Sequence, residues 1–123
     1  MIILDSGAVT FFARIPQTLA EYERRLRDET IVVPSAVLVE CRTGDVRRDT
    51  AVDRLIKRLS IDERLPKGLT RKASALRTAA RRGSVVDALV IAYADPGGRV
   101  ITGDLKDLKA LAQYAENVVI EGI

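Results

Sequence analysis

The chain has no histidine, no tryptophan and a single cysteine among its 123 residues. Without histidine there is no serine–histidine triad and no histidine-ligated zinc. The lone Cys41 excludes an internal disulfide, and with no histidine to activate it the thiol reads as a small core residue rather than a nucleophile. Any catalysis is left to carboxylates, hydroxyls, Lys, Arg or a metal ion. Aromatic residues make up only 4% of the chain, so base stacking is not the evident route to a nucleic acid. No apolar run approaches the roughly 18 residues of a membrane span, and no basic segment precedes the apolar N-terminus. Neither membrane insertion nor secretion is indicated, and the expected location is cytoplasmic.

What is present suits a folded protein: 47% hydrophobic and 30% charged residues. Twenty basic residues against seventeen acidic leave a formal charge of +3. That value is compatible with a nucleic-acid partner and equally with an Arg-rich solvated surface. The length suits a single domain over residues 1–123, with no linker, repeat or low-complexity segment.

The first five residues, Met1-Ile2-Ile3-Leu4-Asp5, organise the rest. Their unbroken apolar run reads as a strand buried on both faces, as in parallel sheets covered by helices. Further strands are expected over 30–33, 99–102 and 117–120, with a weak one over 60–62. Helices are expected over 8–14, 17–28, 36–42, 46–59, 69–82, 85–94 and 105–115, with Ser35 and Ser84 as caps. Strands alternating with helices predict an α/β protein of three layers, α/β/α. Its central sheet is expected to be mainly parallel, with about four to five strands.

Four carboxylates lack local partners. Asp5 ends the first strand, and Glu40 stands among Val37, Leu38, Val39 and Cys41. Asp87 stands among Val85, Val86, Ala88 and Leu89, while Asp104 follows a strand and has Asp107 one turn onward. Burying a carboxylate without compensation costs several kcal/mol, on the order of a small domain's whole stability. Each could be satisfied separately by backbone N–H groups or a distant Arg. Topology argues for a shared place, because residues just after strands and in the first turns of the following helices meet at one edge of such a sheet. Hard oxygen donors without His or Cys select Mg²⁺, with Mn²⁺ able to substitute. The reaction class that follows is metal-dependent phosphoryl hydrolysis.

Four segments carry a family resemblance: Ile-Leu-Asp-Ser at the N-terminus, Val-Pro-Ser-Ala-Val-Leu-Val-Glu, Ser-Val-Val-Asp-Ala-Leu-Val, and Val-Ile-Thr-Gly-Asp-Leu-Lys-Asp-Leu. In this order, across the whole chain, they resemble a PIN domain of the VapC toxin type. The resemblance implies a Mg²⁺-dependent endoribonuclease, the toxin of a type II toxin–antitoxin pair, usually a homodimer silenced by a cognate antitoxin. It assigns Asp5, Glu40, Asp87 and Asp104 to the acidic site, Ser6 and Thr102 to supporting hydroxyls, and Asp107 to an accessory acid. The chain departs from the pattern at Gly7, where the family commonly has a second small polar residue.

Basic clusters on the helices read as solvated faces or, under the nuclease reading, as phosphate holders. Arg42, Arg81 and Arg82 lie nearest in sequence to the site helices. Two other classes stay open. A receiver-like metal-binding regulator normally carries an adjacent acid pair after its first strand, whereas here Asp5 is followed by Ser6-Gly7. A nucleic-acid-binding regulator would leave the acids incidental.

Overall fold

Strand β1 (Ile2–Leu4) has all three side chains fully buried. Removing each such residue from water contributes about 1.5–3 kcal/mol, so this short segment anchors the core. The computed structural model describes residues 1–123, and β1 is the centre of a five-stranded parallel sheet. Its partners are β2 (Ile31–Pro34), β3 (Ser60–Asp62), β4 (Arg99–Thr102) and β5 (Val119–Gly122), in the order β3-β2-β1-β4-β5. Register aligns Ile3 with Val32 on one side and with Val100 on the other.

The connections are helical: α1 (Ser6–Arg14), α2 (Pro16–Arg25), α3 (Ser35–Cys41), α4 (Val46–Ile56), α5 (Lys67–Ala80), α6 (Val85–Ala94) and α7 (Leu105–Ala112). Helix α1 packs on α2, α3 and α4, while α5, α6 and α7 pack on one another. Both α1 and α6 cross β1 and β4. The result is the three-layer α/β/α arrangement with all strands parallel. No helix is long and apolar enough to cross a membrane.

Local chemistry explains most boundaries. Pro16 occupies the first turn of α2, where its missing N–H costs nothing. Helix α2 stops at Arg25, three residues short of the expected 28, because Leu26 leaves helical geometry with φ −118°. Helix α5 starts at Lys67 rather than 69, directly after Pro66, whose extended backbone serves as the cap position. Ser35 is the first residue of α3 rather than its cap, a position taken by Pro34 without a side-chain bond. Ser84 does cap α6: its hydroxyl accepts from the Asp87 N–H, and the Asp87 carboxylate accepts from the Ser84 N–H, each at 3.0 Å. The weak segment 60–62 is a true edge strand, paired with β2 from Val32 to Pro34.

Strand order reverses between β1 and β4. The chain winds from β1 outward through β2 to β3, then returns to β4 on the other side of β1. A crevice opens at such a reversal, beyond the C-terminal ends of the two strands, and ligands bind there in open α/β sheets. Asp5 and Thr102-Gly103-Asp104 are the residues at those two ends.

Candidate metal centre

Asp5 leaves β1 and becomes the N-cap of α1, accepting from the Ala8 N–H at 2.8 Å. The helix therefore starts two residues before the expected 8, on a cap supplied by a candidate site residue. The same carboxylate accepts from the Gly103 N–H at 3.4 Å and from the hydroxyl of Thr102, which is wholly buried. Thr102 Oγ1 in turn accepts from the Asp104 N–H at 2.7 Å. A hydroxyl thus links the acid after β1 to the acid after β4, across the strand-order reversal.

No cation accompanies Asp5, which is only 6% exposed. Burial raises its carboxyl above the ordinary range; hydrogen bonds from Thr102, Ala8 and Gly103 oppose that, and the charge of Asp87 adds to it. Asp5 and Asp87 therefore repel one another across the crevice.

Asp87 itself belongs to a tight group. One carboxylate oxygen from each of Asp87, Asp104 and Asp107 lies within 4.8 Å of the other two. Asp87 and Asp107 are half-buried and Asp104 is exposed. Opposite ligands of an octahedral Mg²⁺ at 2.0–2.1 Å are about 4.2 Å apart, so these oxygens already lie at nearly the spread one ion requires. The donor set is oxygen throughout, which fits a hard divalent cation and not a thiophilic one. Asp104 caps α7, its carboxylate accepting from the Asp107 N–H at 3.5 Å, and α7 therefore presents both acids from its start. A single cation enters the group: Arg82 Nε donates to Asp107 at 2.9 Å.

Glu40 stands apart from the trio. It is exposed in the last turn of α3, and its side chain has no hydrogen bond or ion pair. Its neighbour Cys41 is buried, with a thiol pushed up to about 11 by burial, the charges of Glu40 and Asp5 adding to it. The end of α3 thus lies on the Asp5 side of the crevice, and neither Glu40 nor Asp5 is among the three acids gathered within 4.8 Å. Ser6, the first residue of α1, makes no side-chain hydrogen bond.

Two glycines shape the crevice. A Cβ on Gly7 would lie 3.0 Å from the Gly103 Cα, and one on Gly103 would lie 3.2 Å from the Gly7 Cα. The turns after β1 and β4 meet backbone to backbone, which brings the Gly103 N–H to Asp5. This gives Gly7 a steric role in place of the expected polar side chain. The contact of Gly103 with Gly7 carries no sequence signal of its own, because it depends on strand pairing between distant parts of the chain.

The candidate phosphate holders differ among themselves. Arg42 is tied to Asp53 at 2.7 Å and Arg82 to Asp107, whereas Arg81 has no carboxylate within 4.0 Å.

A family profile described as PIN domain matches residues 2–114. Among solved structures, the chain is similar to one from the crystal structure of VapBC2 from Rickettsia felis bound to a DNA fragment from their promoter. The TM-score is 0.74 at 20% sequence identity, covering 100% of this chain and 99% of that one. No curated protein matches significantly.

Proposed function

Because the chain belongs to the PIN-domain family, we propose that it is a Mg²⁺-dependent endoribonuclease working at the crevice between β1 and β4. The observation that carries this reading is the convergence of Asp87, Asp104 and Asp107 within 4.8 Å, beside a buried Asp5 that has no cation of its own. Three acids from the starts of α6 and α7 crowd together, with the charge of Asp87 also acting on Asp5, and a divalent ion makes that crowding tolerable.

Asp5, Asp87 and Asp104 would hold Mg²⁺, or Mn²⁺ in its place, and Glu40 would approach from the end of α3. When bound, the ion supplies Lewis-acid activation of water and neutralisation of charge developing on a phosphodiester. The residues themselves do the rest. Thr102 orients Asp5 through its hydroxyl and fixes the Asp104 backbone through its oxygen. Asp107 extends the acid surface as an accessory group, with Arg82 limiting the net charge before the ion arrives. Gly7 and Gly103 hold the two turns close enough for Asp5 and Asp104 to share the site. Arg42, Arg81 and Arg82 are the candidate contacts to RNA phosphates, and Ser6 a supporting hydroxyl.

In its cellular role the protein would be the toxin of a toxin–antitoxin pair, restrained by a cognate antitoxin, cytoplasmic and a homodimer. The motif resemblance supports this, as does the likeness to a chain of the VapBC2 assembly. The test is cleavage of single-stranded and structured RNA with Mg²⁺ or Mn²⁺, with EDTA as control. Metal-dependent cleavage that disappears in Asp87→Asn supports the proposal; cleavage undiminished in that variant rejects the site. Salt-dependent RNA binding without cleavage, unaffected by loss of all four acids, would favour a binding regulator instead.

A further inference from the structure

The loop from α5 to α6 is built to project cations next to the acids. Arg81, the residue after α5, has left-handed backbone geometry with φ 54°, an uncommon conformation for a residue with a side chain. Gly83 follows with φ 87°, and a Cβ there would lie 2.6 Å from Leu111 Cδ1 and 3.6 Å from the Asp87 Cβ. The loop is therefore wedged between α7 and the first turn of α6. This fixes where its arginines emerge.

They emerge around one open cleft, lined by Arg77, Thr78, Arg81, Arg82 and Gly83. No carboxylate lines it. Arg77, in the last turn of α5, and Arg81, just beyond it, thus bring two like charges to the same cleft. Neither has a carboxylate within 4.0 Å, although eight ion pairs occupy other basic residues and the N-terminus. Arg77 Nε is oriented by donating to the Gly83 carbonyl at 3.5 Å. Arg82 belongs to both places, lining the cleft while its Nε meets Asp107 in the acid group. A polyanion lying along this surface would meet Arg82 between the acid group and the cleft.

We propose that the Arg77–Arg81 cleft seats a backbone phosphate of the RNA strand, next along from the phosphodiester held at the acid group. The assignment rests on the ribonuclease reading and adds to it a path for the strand over the end of α5. A guanidinium pair suits phosphate better than a lone point charge, because its donors are planar and can be bidentate. Thr78 adds a hydroxyl at the same wall.

The experiment measures binding of a fluorescein-labelled single-stranded oligoribonucleotide in EDTA across a salt series. Wild type is compared with a double variant, Arg77→Gln with Arg81→Gly. Glycine adopts the left-handed geometry of position 81 readily, so the cation is removed with the turn kept. Circular dichroism and a Mn²⁺ titration run on the same samples; both are expected to match wild type. The double variant is expected to bind RNA about tenfold more weakly at moderate salt. Its log K against log salt is expected to be shallower by about 0.7 for each phosphate that the variant no longer neutralises. An affinity and slope equal to wild type, while wild type still cleaves RNA with Mn²⁺, overturns the cleft and leaves the nuclease reading standing. If wild type neither binds nor cleaves RNA, the nuclease reading falls and takes the cleft with it. If the double variant keeps RNA binding and instead loses a Glu-rich peptide that wild type captures, the cleft serves an acidic protein segment and the assignment is overturned.

Discussion

Glu121 and Asp5 are acids of the same sheet in opposite situations. Glu121, on the edge strand β5, accepts from Arg25 at 2.7 Å and from Arg99 at 3.0 Å. Burial pushes its carboxyl up, but the hydrogen bonds and charges of the two arginines outweigh it, and it titrates below the usual range. Asp5, at the end of the central strand, has backbone N–H groups and a hydroxyl but no arginine. Burial wins there, the charge of Asp87 adds to it, and the carboxyl titrates above its ordinary value. The fold can quiet an acid when two cations are at hand, and at the crevice it has not done so. On the proposed function, that contrast separates a structural carboxylate from one kept for a ligand.

The sharpest way to break the contrast is to exchange the crevice acids for their amides. Asp5→Asn and Asp87→Asn are each expected to reduce metal-dependent RNA cleavage by more than about 100-fold, since even supporting partners of metal ligands cost 10–100-fold. Asp5→Asn should leave the melting temperature at pH 7 equal or higher. Asparagine keeps an N-cap oxygen and removes a buried charge that is less favourable folded than unfolded, which offsets the loss of the oxygen that accepts from Thr102. A large fall in melting temperature would mean that Asp5 is structural, like Glu121.

Thr102→Val comes next in size. It leaves one Asp5 oxygen without its hydroxyl donor, at a cost of about 1–3 kcal/mol in stability. It should also weaken Mn²⁺ binding by about 10-fold or more, measured by calorimetry. Arg82→Gln should act the other way. Removing the one cation that competes for Asp107 is expected to tighten Mn²⁺ binding by a few-fold, the size of a partly exposed ion pair of about 1 kcal/mol or less. Weaker Mn²⁺ binding in that variant would mean that Arg82 orients Asp107 rather than competing for it.

Glu121→Gln is the smallest effect and the control. Its two ion pairs are partly exposed, so the loss at pH 7 should be about 1 kcal/mol or less. A lowered folded-state pKa means that this stabilisation is fully present above the ordinary value of 4.5 and disappears as pH falls through the lowered value. Denaturation curves of variant and wild type should therefore differ at pH 6 and converge in acid. RNA cleavage by Glu121→Gln should equal that of wild type.

Much of the fold is legible in the sequence because its signals are local. The apolar run of β1, the cap at Ser84 and the strand-helix alternation depend on neighbours within a few residues. The order of Asp5, Asp87 and Asp104 is legible for a related reason: each follows a strand or opens a helix, and topology brings such positions to one edge. Distances are another matter. Asp107 joins Asp87 and Asp104 within 4.8 Å and Glu40 does not, because Asp104 caps α7 and Asp107 lies in its first turn, whereas Glu40 is exposed in the last turn of α3. The Arg82–Asp107 pair spans 25 residues, and the approach of Gly7 to Gly103 depends on β1 lying beside β4. Pairings of that kind leave no periodic trace in a single chain.

If Asp5, Asp87 and Asp104 remain without counter-ions because a divalent cation supplies the missing charge, that cation can be located. Anomalous diffraction from a crystal soaked in Mn²⁺ addresses the point directly. One or more peaks are expected, bounded by Asp5, Asp87 and Asp104 and within about 2.0–2.3 Å of their oxygens. Full soaking with no peak there, and Asp5 still bonded only to Thr102, Ala8 and Gly103, would contradict the metal-centre assignment.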